Sequence, residues 1–136
     1  MKNMNKFKHA RFYVLIIIIL VLFFNCNEKI NNPGNDLVFP DSKVSFVRHV
    51  QPLFNYKCSI TGCHDDDPQN TRLSLTSYYE ATKYPGIIVS GLPDNSVSIQ
   101  RLDGRLQPRM PLYRDTLSKN QYNGLRTWIK EGALNN

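Results

Sequence analysis

Apolar and polar positions divide the chain into three stretches of different texture. Residues 1–11 are polar and basic, and Phe12–Phe24 (FYVLIIIILVLFF) is an unbroken run of thirteen apolar or aromatic residues. A membrane-crossing helix needs about 20 such residues, whereas a secretory signal joins a positive start to an apolar stretch of ~7–15. The shorter run predicts a signal peptide over 1–25. Asn27–Lys43 (NEKINNPGNDLVFPDSK) is rich in Asn, Pro, Gly and Asp, and reads as a flexible linker over 26–43. The folded domain is expected over 44–136.

Within that domain about four short helices are expected and no strand, because no segment alternates apolar and polar residues for long. Val50, Leu53 and Phe54 give a first helix reaching Lys57, with Pro52 tolerable only in its first turn. Ser77 and Glu80 are spaced as a capping box and open a second helix through about Lys83, closed by Tyr84-Pro85-Gly86. Asp94 is placed to cap a third, with Val97, Ile99 and Leu102 as apolar positions and Gly104 as the stop. The last is the clearest. Ser118 caps it, Gln121 completes a box, and Leu117 can staple against Tyr122. Tyr122, Leu125, Trp128 and Ile129 form its apolar stripe, with Lys119, Asn123, Arg126 and Lys130 facing water and Gly132 ending it.

Charge changes the picture only once it is placed. The chain of 136 residues carries 17 basic and 11 acidic side chains, a net of +6. Lys2, Lys6, Lys8 and Arg11 precede the apolar run, which leaves 13 basic against 11 acidic residues beyond it. A nearly neutral body argues against a nucleic-acid partner. No Ser/His/Asp set, paired acid–base carboxylates or phosphate-binding Gly loop is present, so neither an enzyme nor a small-molecule substrate is expected. Asp65–Asp67 lack the alternation and Gly turn of a calcium loop and read as a solvated turn.

Three cysteines, Cys26, Cys58 and Cys63, are an odd number for an exported chain. Cys26 stands one residue beyond the apolar run. Its position resembles a bacterial lipoprotein signal, in which the chain is cut before a cysteine that then receives a diacylglycerol, although Asn25 replaces the usual small residue. The other reading is an uncleaved anchor; either way the domain is exported to the periplasmic side and tethered to a membrane.

Cys58 and Cys63 lie in CSITGCH with His64 directly behind. Cys-x-x-Cys-His marks covalent attachment of haem, with both thiols bonded to the macrocycle and the adjacent imidazole on its iron. Here four residues separate the cysteines instead of two, and Gly62 would ease the longer loop back. A Cys58–Cys63 disulfide is the main alternative, and a zinc site a weaker one. Beyond the signal the chain has one methionine, Met110, between Pro108 and Pro111. Its thioether suits a sixth iron position, and the prolines stiffen the loop that would hold it. His49 is the competing ligand, with a surface or capping role otherwise.

Taken together, VSFVRHVQPLFNYKCSITGCH, LSLTSYYEATK, the stretch from Pro93 to Ile99, and RMP followed by LSKNQYNGLRTWIKEGALNN resemble a small class I-type cytochrome c domain of the kind found on bacterial lipoproteins. The resemblance covers about Val44 to Asn136. It implies an all-α, cytochrome c-like fold around one covalent haem c. It also implies that Cys58 and Cys63 attach the haem, that His64 is the proximal iron ligand and Met110 the distal one, and that the last helix crosses the first. The expected function is a membrane-tethered monohaem cytochrome carrying single electrons between exported or membrane redox proteins. Two others remain: a non-haem structural or binding lipoprotein with a disulfide, and a haem subunit of a larger oxidoreductase.

Overall fold

A computed structural model of the chain describes residues 37–67, 69 and 71–136. The apolar run Phe12–Phe24, the signal peptide and Cys26 lie outside the described residues. Those described contain helices and no strand, so the fold is all-α. None of these helices is long and apolar enough to cross a membrane.

The first helical segment starts earlier than its apolar spacing predicted. A π-helical turn, Phe46–Val50, runs directly into helix α1 (Gln51–Lys57), with Pro52 in the first turn of α1. Ser45 caps the turn, its hydroxyl accepting from the Arg48 N–H at 3.2 Å. His49 Nδ1 accepts from the Ser45 N–H at 3.0 Å, and its ring lies 5.7 Å from that of Phe39. The capping role is therefore the one His49 takes.

Helix α2 (Tyr78–Thr82) opens as expected at Ser77, whose hydroxyl accepts from the Glu80 N–H at 3.2 Å. The reciprocal arm goes elsewhere, since the Glu80 carboxylate pairs with Lys83. Helix α3 (Val97–Asp103) follows a 3₁₀ turn at Pro93–Asn95 and ends at Gly104, held at φ +83° where a side chain would be strained. Asp94 does not cap α3, contrary to its spacing. Its carboxylate is taken by Arg126, which donates from both terminal nitrogens at 2.8 and 3.0 Å, and by Arg105 at 3.2 Å. A charge-assisted fork of this kind outcompetes a cap to a neutral amide. Ser96 stands at the N-cap instead, its hydroxyl accepting from Val89 N–H and donating to Leu92 O.

Helix α4 (Lys119–Lys130) has both arms of the Ser118–Gln121 capping box. Leu125, Trp128 and Ile129 of its stripe are buried, while Tyr122 is half-buried and donates its hydroxyl to Asp103. Arg126 is not a solvated face, being only 27 % exposed and bound to Asp94. The π-helical turn packs on α4 through Phe46, whose ring centroid lies 5.5 Å from that of Trp128. Tyr78 meets Phe46 edge-on at 5.2 Å and donates its hydroxyl to the Ala133 carbonyl. Residues from three parts of the chain thus meet around one aromatic centre.

The linker expected to reach Lys43 ends sooner. Phe39 is 2 % exposed and lies directly over Gly124, where a methyl group would come within 2.2 Å of its ring. Phe39 also exchanges two hydrogen bonds with the Asn120 side chain, at 2.7 and 3.0 Å, and the Glu131 carboxylate accepts from the amides of Lys43 and Val44. The segment from Leu37 onward is folded against α4.

Candidate functional site

Helix α1 ends at Cys58, and the chain then turns back on itself. The Cys58 and Ser59 amides both donate to Phe54 O, the Cys63 amide donates to Ile60 O at 2.9 Å, and the His64 amide returns to Cys58 O at 3.1 Å. This last bond closes the six-residue loop and sets His64 beside the first cysteine despite the wider spacing. Gly62 supplies the left-handed step, at φ +84°, and its amide donates to Asp65 Oδ2.

Beyond the loop, the acidic run is occupied by local structure. Asp65 also accepts from the Asp67 amide, and Asp66 accepts from the hydroxyls of Ser74 and Thr76 at 2.8 and 2.6 Å. Those two hydroxyl bonds hold the Asp66 carboxyl below its usual range. Asp66 therefore pins the loop that follows His64 to the segment before α2, while Asp65 and Asp67 accept from amides of the loop itself. Among the described residues no group of three or more His, Cys, Asp or Glu side chains converges to hold a metal ion.

The imidazole of His64 is fixed by its own loop. Nδ1 lies 3.0 Å from the Leu73 carbonyl and 3.3 Å from Thr71 Oγ1, while that hydroxyl donates to the same carbonyl at 2.7 Å. A carbonyl only accepts, so Nδ1 carries the proton and Nε2 the lone pair. This is the orientation in which a histidine serves as a metal ligand, with a backbone carbonyl holding its other nitrogen. Spacing alone gave no signal for Thr71 or Leu73.

Cys58, Cys63, His64 and Met110 all line one cavity of about 410 Å³. Its walls are otherwise mainly aliphatic, from α1 (Leu53), the loop after His64 (Leu73, Leu75), Ile87 and Ile88, and Leu125 of α4. Both cysteines are free thiols and half-buried. Desolvation pushes the Cys58 thiol up to about 12, neighbouring Cys63 adding to the rise and Lys57 opposing it. Met110 enters from the far end of the chain, on the segment between α3 and α4, its amide donating to the Arg101 carbonyl at 2.9 Å. His49 is not among the lining residues.

Sequence reading missed the polar members of this wall. Among the described residues Lys57, Arg101 and Arg114 line the cavity and no carboxylate does, and Ser98 of the same wall has a buried hydroxyl without a partner. Ser98 and Arg101 stand three apart on α3 and so share a face. An apolar body carrying acidic groups fits such a lining. Chemically, the site offers two thiols, one oriented imidazole and one thioether around an apolar interior. The chain matches no described protein family, and no curated protein or solved structure aligns with it.

Proposed function

We propose that this chain is a monohaem c-type cytochrome that carries single electrons, with one haem c in the cavity described above. The observation that carries the reading is the convergence on one cavity of two free thiols, a tautomer-fixed imidazole and the single methionine beyond residue 4. When bound, haem supplies an iron that changes charge by one electron. Cys58 and Cys63 would hold the macrocycle through thioethers, and His64 Nε2 and Met110 Sδ would hold its iron. An iron so held by protein groups would favour electron transfer over chemistry on a bound substrate.

The residues present fit that group in size and polarity. Covering the mainly aliphatic walls of the cavity with a flat apolar macrocycle would remove their surface from water, which stabilises the domain. Lys57, Arg101 and Arg114 offer donors to the acidic groups at the haem periphery. The free state of Cys58 and Cys63 leaves the thiols available for attachment, which a disulfide would not.

The domain acts outside the cytoplasm in this reading, tethered to a membrane through the lipid on Cys26 and serving exported or membrane redox proteins. A pyridine haemochrome spectrum of the full chain, made alongside the cytochrome maturation machinery, tests the proposal. The c-type spectrum in an amount of one haem per chain is expected. Protein that folds and is exported without haem would refute it.

A further inference from the structure

The final turn of an α-helix leaves carbonyls without intrahelical donors. In α3 these groups are satisfied by the segment that carries Met110. The Leu106 amide donates to Gln100 O and the Met110 amide to Arg101 O, both at 2.9 Å. Arg109 Nε donates to Leu102 O at 3.2 Å, and Gln107 Nε2 to Gly104 O at 3.0 Å. Gln107 Oε1 in turn accepts from the Arg109 amide, and Arg101 Nη1 reaches forward to Pro108 O. Gly104 matters twice, for its positive φ and because the Arg109 side chain lies over it, its Cδ 3.4 Å from where a methyl would stand.

The cap of α3 and the Met110 strap are therefore one structure. We propose that Arg109 is a positioning residue, the latch that keeps Met110 Sδ at the cavity. Arg109 is exposed and does not itself line the cavity. It acts through the strap: its side chain ties the residue just before Met110 to the end of α3, leaving the methionine little freedom. Without that tie, the nearby strap bonds rest on Gln107, on the Arg101 guanidinium and on main-chain amides. Losing one such bond at an exposed site shifts a closed–open balance by up to roughly tenfold. This inference rests on the haem reading above.

The test uses the full haem-loaded chain as wild type, Arg109→Ala, Arg109→Lys and Gln107→Ala. Two readouts report the latch: the far-red charge-transfer band of a thioether on ferric haem, and the rate at which carbon monoxide binds the ferrous protein. Arg109→Ala is expected to weaken the band and speed carbon monoxide binding up to roughly tenfold, at unchanged far-UV circular dichroism. Arg109→Lys should restore part of both, since an ammonium can still donate to the Leu102 carbonyl. Gln107→Ala should move both readouts the same way. A wild-type band and rate in Arg109→Ala overturn the latch. Should that variant fail to fold, wild-type behaviour of Gln107→Ala overturns it equally. Wild type that holds haem but lacks the thioether band refutes the latch and the Met110 assignment while leaving haem attachment standing, and wild type without haem refutes the haem reading together with them.

Discussion

Gly124→Ala puts a methyl group where the structure has none to spare. The new Cβ would stand 2.2 Å from Cδ1 and Cγ of Phe39 and 2.3 Å from its Cβ, far inside van der Waals contact. Phe39 must then leave its seat, or α4 must shift. Overpacking of this kind costs about 1–3 kcal/mol, and full exposure of a buried phenylalanine about 1.5–3 kcal/mol, so the two routes converge on about 2 kcal/mol. For a domain of ~100 residues that lowers Tm by roughly 8–16 °C. The double-mutant cycle makes the reasoning sharper. In a Phe39→Gly background the three atoms nearest the new methyl, Cδ1, Cγ and Cβ, are all gone, so the cost of Gly124→Ala should fall well below its value in the wild-type background. Thermal unfolding by circular dichroism of the four proteins, all in the same haem state, measures this. Gly124→Ala with an unchanged or raised Tm in the wild-type background would show that Phe39 does not pack on α4 and that the linker does extend to Lys43.

Hydrogen bonds from Arg105 hold the Asp103 carboxyl down to about 2 from an ordinary 3.8. A carboxylate favoured in the folded state stabilises above its unfolded value, and the benefit fades as pH falls from about 3.8 towards 2. Asp103→Asn should therefore lose stability at neutral pH and show a shallower acid decline across that window; parallel pH–stability curves for both proteins would contradict this. In haem-free chain that far-UV circular dichroism shows to be folded, the burial that pushes the Cys58 thiol up to about 12 should make iodoacetamide at mildly alkaline pH label Cys58 more slowly than in the urea-unfolded chain. Equal rates, read by peptide mass, would show that the thiol is not desolvated. Met110→His should keep six ligands yet move the reduction potential strongly negative, and an unchanged potential in voltammetry would remove Met110 from the iron.

Legibility in the sequence followed the range of the interactions. Helix α4 was readable to within a residue because its signals are local: the Ser118–Gln121 box and the Leu125, Trp128 and Ile129 stripe. The burial of Gly124 was not readable, since its reason is Phe39, 85 positions away in a stretch whose Pro, Asn and Gly content imitates a linker. Asp94 misled for the same cause. Its spacing suits a cap, and only the fold brings Arg126 within 3 Å of it. In the candidate site, the two thiols, imidazole and thioether could be named from residue type and order. The cap of α3 by the strap, the Leu73 carbonyl on His64 and the cationic lining depend on loops with no periodic signature, so they emerged only with the coordinates.

The most direct test of the central claim is the mass of the tryptic peptide spanning residues 58–72, released after Lys57 and Arg72 from chain exported by cells with the maturation machinery. It should carry one haem, and the Cys58→Ala and Cys63→Ala variants should each lose one of its two bonds. The same peptide recovered without haem, either with both thiols free or lighter by their two hydrogens, would contradict the electron-carrier account.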